Sequence, residues 1–397
     1  MTVQMARLGD ICEINPRLPR DHGLGEDSEV SFVPMAAVSE VSGTIESATL
    51  RRFAEVKKGY TAFSDGDVLF AKITPCMENG KAALASGLFS GRGFGSTEFH
   101  VLRVRESVLP EWIYYFVRRE PFRRDAKRNF TGTAGQQRVP TSFLQETLIP
   151  VPPLDEQRHI VDLLARAEGI VRLRREAQRK AAELIPAIFV EIFGDPGTNP
   201  KGWPVYALGT LSDVQGGVQV SAARRTLPLT KPYLRVANVF RDRLDLTEVK
   251  SIQLTEGEFE RTRLQRGDLL IVEGHGNPEE VGRVAVWNGE VDECTHQNHL
   301  IRARPALSRL LPHYASALLN SPGGRQSLRR AGKTTSGLST ISAKNVKETP
   351  VILPPVDLQT TFVRYVDEVS SIMRRQSLAR IQAESALRAL LARAFGG

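Results

Sequence analysis

The sequence has little cysteine, no long apolar run and no secretion-type leader. Its three cysteines, Cys12, Cys76 and Cys294, are scattered and odd in number, so no disulfide framework is implied and a reducing compartment suits the chain. No stretch of about 18 apolar residues occurs, which excludes a transmembrane helix. The segment Met1 to Asp10 carries Arg7 and Asp10 and lacks an apolar core of signal-peptide length. A cytoplasmic protein with no membrane association is the expectation. Of the 397 residues, 41% are hydrophobic and 25% charged, as in folded globular chains, and the length suits two or three domains. The formal net charge of +8 favours a polyanionic partner.

What is present, above all, is an internal repeat. Glu146, Thr147, Pro152, Pro153, Asp155 and Gln157 recur as Glu348, Thr349, Pro354, Pro355, Asp357 and Gln359, an offset of 202 residues. Phe193-Gly194 returns as Phe395-Gly396 at the same offset. Earlier in the copies, Leu8-Gly9 matches Leu208-Gly209, and Gly66-Asp67-Val68-Leu69-Phe70 matches Gly267-Asp268-Leu269-Leu270-Ile271. His100 to Arg103 aligns with His299 to Arg302. The period is too long for a solenoid and reads as two tandem copies of one module. Each copy opens with a part rich in glycine, proline and short β-favouring runs, such as Asp67 to Ala71 and Asp268 to Val272 after their Gly-Asp turns. Helical stretches, Glu111 to Arg119 and Pro312 to Asn320, are interspersed.

Each copy closes with a long helix. Pro152-Pro153 and Pro354-Pro355 end the preceding strand, and Asp155 and Asp357 are expected as N-caps. Apolar residues then recur at alternating four- and three-residue steps. In copy one they are Ile160, Leu164, Ala167, Val171, Ala181, Ile185, Ile188 and Ile192. In copy two they are Phe362, Val366, Val369, Met373, Ala383, Leu387, Leu390 and Ala394. This is a coiled-coil seam. It is interrupted midway by Arg174 and Gln178 in one copy and Gln376 and Arg380 in the other. If the helices pair antiparallel, these four meet in one polar layer, which penalises slipped registers. Pro186 breaks the pattern of the first helix and is expected to bend it, or to end and restart it.

The fold class that follows is α+β: two tandem mixed α/β domains, residues 1–150 and 196–352, alternating with long helices, 151–195 and 353–397, that carry a coiled-coil seam. Two globular modules, each followed by a Pro-Pro-Leu/Val-Asp-x-Gln helix start, resemble the specificity (S) subunit of type I restriction-modification systems over essentially the whole chain. The run from Gly132 to Pro140 that contains Gln136, Gln137 and Arg138, leading into Ile149 to Pro153, is typical of that family; copy two departs there, with Ser336 to Ile341. The resemblance implies that each module is a target recognition domain reading one half of a bipartite site on double-stranded DNA. It further implies that the long helices form an antiparallel coiled coil and set the distance between the halves, that two methyltransferase (M) subunits dock on the helices, and that restriction/translocase (R) subunits join them. It implies no active site and no cofactor in the chain itself. Asp155 to Ile192, roughly 38 residues, would span about 57 Å as a helix.

Reading DNA needs cations for phosphates and polar groups for base edges. A basic cluster occurs in both copies: Arg123, Lys127 and Arg128 match Arg325, Arg329 and Arg330, and residues four apart share a helix face. Candidate base readers lie on the loops after the Gly-Asp strands: Lys72, Thr74, Asn79 and Lys81, and in copy two Glu273, His275, Asn277 and Arg283. A second group is Thr131, Thr133, Gln136, Gln137 and Arg138, with Lys333, Thr334, Thr335 and Ser336. The loops differ between the copies, so the two half-sites should differ.

Other motifs carry less. Gly332-Lys333-Thr334 resembles the end of a phosphate-binding loop, but Ser327 stands where its first glycine belongs. Cys294, His296 and His299 offer three zinc-type ligands with no evident fourth, and no metal is expected. No Asp/Asn-Pro-Pro-aromatic methyltransferase motif is found, nor a paired-carboxylate-plus-lysine nuclease site. The rival readings are a DNA-modifying enzyme with an unrecognised site and a coiled-coil scaffold that binds only proteins.

Overall fold

The structure is a computed structural model that describes residues 4–133, 136–330, 333–335 and 338–396. It divides into two compact units, Met1–Glu176 with Leu378–Gly397, and Ala177–Ser377.

In the first unit, the Gly66-Asp67 turn launches the strand Val68–Ala71. Gly66 sits at φ +87°, where a side chain would be strained. Asp67 is 1% exposed; it accepts the Ser64 N–H at 2.7 Å and is gripped by Arg103 at 2.7 and 2.9 Å. Such a carboxylate is tolerated in the interior because it is paired and hydrogen-bonded. Val68–Ala71 is buried throughout and lies inside an antiparallel sheet ordered Cys12–Ile14, Phe99–Val104, Val68–Ala71, Ala82–Leu84. A second sheet runs Thr49–Arg52, Glu29–Val33, Arg92–Gly95, Thr61–Ser64, with its middle pair parallel.

The second unit repeats this plan on different residues. Its antiparallel sheet is ordered Ser212–Gly216, Leu300–Pro305, Leu269–Val272, Val284–Val286. Its other sheet has three strands, Lys250–Leu254, Leu229–Leu234 and Thr295–His296, with one antiparallel junction and, as in the first unit, one parallel junction. Asp268, fully buried, is gripped by Arg304 at 2.7 and 2.8 Å.

The strand register corrects one alignment made from sequence. Val68 lies opposite Leu102 and Leu269 opposite Ala303, so Arg103 corresponds to Arg304, and His100 to Ile301 rather than His299. A two-residue slip keeps every side chain on its own face, so the hydrophobic alternation reads the same in both alignments.

The repeated Pro-Pro-x-Asp-x-Gln starts explain themselves in three dimensions. The first long helix is Leu154–Phe193 and the second Val356–Phe395, 40 residues each. Each begins directly after the proline pair, so Asp155 and Asp357 lie in the first turn and are not the N-caps the sequence suggested. Proline fixes the backbone angle that enters the helix, and each helix starts two residues earlier than a cap at Asp155 or Asp357 would put it. An acidic group there still favours the helix dipole. Gln157 and Gln359 are fully buried. Gln157 accepts the Leu109 N–H at 2.9 Å and donates to the Pro152 and Ser107 carbonyls at 2.8 and 3.2 Å. Gln359 does the same with Leu311, Pro354 and Arg309 at 2.9, 2.9 and 3.0 Å. The repeated glutamine therefore fastens the helix start to its α/β domain.

Within the first unit, the beginning of the first long helix packs on the end of the second. Leu164 and Phe395 share one core cluster, and Arg175 bonds Glu384 at 2.8 Å. Within the second unit, the end of the first helix meets the beginning of the second, with the Phe189 and Phe193 rings each 5.5 Å from that of Phe362. In both units one helix ascends in number where the other descends, which is the antiparallel pairing expected. All sixteen seam positions are buried or half-buried. The closing Phe-Gly of each copy is a plug: Phe395 lies 4.3 Å from Trp112, and Phe193 lies 4.8 Å from Tyr314. Burying such a ring contributes about 1.5–3 kcal/mol. The helix continues through Pro186, contrary to one expectation. Pro186 is exposed, so water can serve the Ala182 carbonyl that loses its donor. Among the described residues, no helix is long and apolar enough to cross a membrane.

Candidate nucleic-acid interface

In the first unit the two groups of candidate readers, far apart in sequence, form one assembly. Where the strand Val68–Ala71 ends, Lys72 donates its N–H to Glu98 and accepts that of Val139, both at 2.9 Å. Ile73 then bridges to Arg138, the Thr74 N–H reaches the Gln137 carbonyl at 3.1 Å, and Thr131 pairs with Arg138. Asn79, Thr131, Thr133 and Gln136 are exposed, whereas Lys72, Thr74, Lys81, Gln137 and Arg138 are half-buried. Lys81 is turned inward to the Met35 carbonyl at 3.3 Å.

The basic helix Glu120–Arg128 lies against this assembly. Arg123 donates to the Glu78 carbonyl at 2.6 Å, and Lys127, one turn on, pairs with the Glu78 carboxylate. Arg123 is half-buried and holds the loop in place; Lys127 and Arg128 are exposed. Burial of Arg123 makes its charged form harder to keep and pushes its pKa down.

The second unit builds the same ladder. Gly274–His275 pairs with Leu338–Thr340, which pairs with Lys333–Thr335. Thr340 lies opposite both Gly274 and Lys333, just as Arg138 lies opposite both Ile73 and Thr131. Thus Lys333, Thr334 and Thr335 form a strand of this ladder; Ser336, like Ala134 and Gly135 of the first copy, lies outside the described residues. Glu273 pairs with His299 at 3.0 Å, which places His299 well apart in role from the buried Cys294 and His296. His275 accepts the Asn277 N–H, and Asn277 caps the turn Pro278–Glu280 by accepting the Glu279 N–H, both at 3.0 Å. On the helix Pro322–Arg330, Arg329 and Arg330 are exposed and Arg325 is half-buried.

One candidate is corrected outright. Arg283 is 6% exposed, stacks over Phe240 at 5.0 Å, and bonds Glu280 and the Val236 carbonyl at 3.2 and 3.1 Å. It is a core group, not a base reader, because the strand Val284–Val286 that follows it aims it inward. The midpoint residues of the long helices fall in both units. Arg174, exposed, and Arg380, bonded to Glu384 at 3.3 Å, belong to the first; Gln178 and Gln376, half-buried, belong to the second.

What sequence reasoning missed are the carboxylates. Glu78 holds Lys127 and also accepts the Thr74 hydroxyl at 2.5 Å, and both contacts lower its pKa. Glu98 receives Arg138 through a fork at 2.8 and 2.9 Å, which likewise depresses its pKa. In the second unit Glu279 takes Arg329 at 2.5 Å, and Arg241 donates to the Glu279 carbonyl as Arg123 does to that of Glu78. Glu78 and Glu279 share the 201-residue offset of the Gly-Asp strands, a signal that could have found them.

The model for the type I restriction modification DNA specificity domain matches residues 1–182. The match takes in the first α/β module and most of the first long helix, 182 of the 397 residues. The EcoAI specificity subunit of Escherichia coli is 40% identical over 152 residues, which is 38% of this chain and 25% of that protein. The matched stretch thus spans about a quarter of the length of that relative. The EcoKI specificity subunit of E. coli K12 is 27% identical over 75% of this chain and 67% of its own. Two solved structures share the fold. One, described as the structural basis of assembly and conformational transition of the type I R-M system, has TM-score 0.61 at 24% identity, covering 98% of this chain and 97% of that one. The other, an S subunit from M. genitalium, has TM-score 0.54 at 12% identity, covering 100% and 96%. The α+β plan with long helices expected from the sequence is the fold these share.

Proposed function

We propose that this chain is the DNA-reading subunit of a type I restriction-modification complex, with each α/β module reading one half of a bipartite duplex target. The observation that carries the reading is the doubled ladder: one backbone plan, a loop zipped to a hairpin beside a basic helix, built in both units on different side chains. A common scaffold presenting unlike loops is what two different half-sites require. The chain supplies recognition and no catalysis, in the cytoplasm where its DNA is.

Two methyltransferase subunits dock on the long helices, and restriction subunits join them. Support comes from apolar residues left exposed outside the seam at heptad spacing: Leu163 and Ile170 in the first unit, and Leu358, Tyr365 and Ile372 in the second. Exposed apolar patches of this kind mark interaction surfaces. The test is single-molecule mapping of methylated bases in cells with and without this gene. A discontinuous motif of two short unlike halves should vanish on deletion. Loss of no motif, or of one continuous motif, would overturn the reading.

A further inference from the structure

The clamped cations have a consequence that rests on the DNA-reading function. In each unit the exposed basic residue at one helix position, Lys127 or Arg329, is held by a single glutamate of the reader loop, Glu78 or Glu279. The side chains of Lys127 and Arg329 remain 61% and 42% exposed, so each pair sits at a solvent edge that a duplex can approach. A carboxylate offers an ammonium or guanidinium the same anionic oxygens as a backbone phosphate. A phosphate arriving at either cation therefore meets a negative charge already in place. The first pair is also wired to the reading loop, because Glu78 is held by the Thr74 hydroxyl, and Thr74 is zipped to Gln137.

We propose that Glu78 and Glu279 are phosphate placeholders: each occupies its cation until the reader loop engages a target, so that Lys127 and Arg329 reach phosphate on target duplex and are withheld from other DNA. The glutamates then determine specificity without touching a base. When a base edge takes the Thr74 hydroxyl, Glu78 loses one of its two side-chain partners, and Lys127 is freed for the backbone. In the second unit the loop backbone is fixed through Arg241, and Arg329 is released when the turn Pro278–Glu280 moves.

The experiment uses the full chain, a pool of random-sequence duplex, and a duplex enriched from that pool by the wild-type protein. Glu78→Gln and Glu279→Gln, in separate units, are each compared with Lys127→Ala and with Glu78→Gln combined with Lys127→Ala. Glu78→Gln should raise affinity for the random pool about two- to five-fold, the range of one part-exposed ion pair, and steepen its salt dependence by up to about 0.9 in log–log slope. Affinity for the enriched duplex should change less, so discrimination falls. In the Lys127→Ala background the glutamine should have no effect. Unchanged or weakened pool binding in both Glu78→Gln and Glu279→Gln overturns the placeholder. An equal gain with Lys127 absent also overturns it, since the effect would then be net charge alone. Wild-type protein that holds neither duplex overturns the DNA-reading function itself, a distinct outcome.

Discussion

Replacing Gln157 by alanine should weaken the first unit by about 3 kcal/mol. The side chain is fully buried and makes three hydrogen bonds, to the Leu109 N–H and the Ser107 and Pro152 carbonyls. Alanine leaves the Leu109 donor orphaned, at about 1–3 kcal/mol. The carbonyls, with a second lone pair each, add less. The vacated volume adds on the order of 1 kcal/mol. About 3 kcal/mol corresponds to roughly a hundredfold rise in local opening. Hydrogen-exchange mass spectrometry resolves this by unit: peptides spanning residues 107–118 should exchange faster, and those spanning 309–320 should not. Gln359→Ala should give the mirror result. Gln157→Glu separates size from hydrogen bonding. Its carboxyl faces two carbonyls and must stay protonated to donate, so its folded pKa lies above the usual ~4.3. Its stability is then largest below that value and is lost as pH rises through the folded pKa. An alanine effect below about 1 kcal/mol, or one spread over both units, would refute the fastening role.

Three further outcomes follow from other sites. Burial, with Arg302 nearby, pushes the His296 pKa down from 6.5 to about 4, so the folded protein holds this imidazole neutral. The second unit should therefore lose up to about 3 kcal/mol as pH falls from 6.5 to 4, and His296→Gln should flatten that stretch of a pH–stability curve from urea unfolding. Arg283→Ala should lower the melting temperature and leave the salt slope of DNA binding unchanged; a reduced slope would restore it as a phosphate contact. Asp67→Asn leaves Arg103 with a neutral partner in a site where the carboxylate is 1% exposed and the guanidinium about a third exposed. Thermal or urea unfolding should show a loss of about 1–3 kcal/mol, with Arg103→Gln in the same background adding little.

The legible features were those written in local spacing. The 202-residue echo, the proline pairs and the four-three apolar steps each report a backbone constraint or a buried stripe, and the helices and their seam follow from them. The two groups of reader residues were expected as loops, whereas in the second copy His275 and Lys333 to Thr335 lie in short strands. Their union was not legible, because Ile73 meets Arg138 only once the strands Val68–Ala71 and Phe99–Val104 are paired. The register of that pairing escaped too, since a two-residue slip is invisible to a period of two. Arg283 looked like a reader because its charge suggested a surface, while only packing against Phe240 shows it inside.

The amino-acid order alone determined that there are two copies, that a long helix follows each proline pair, and which residues line its seam, because a repeat is read by comparison along the chain and a helix and its stripe depend on neighbours within a few turns. Tertiary structure decided which cations are free. Lys127 and Glu78 lie 49 residues apart, and Arg329 and Glu279 lie 50 apart. Charges so separated along the chain take partners only when strands and helices have been packed; the repeat offset marks Glu78 and Glu279 as equivalent, but only packing pairs them with Lys127 and Arg329.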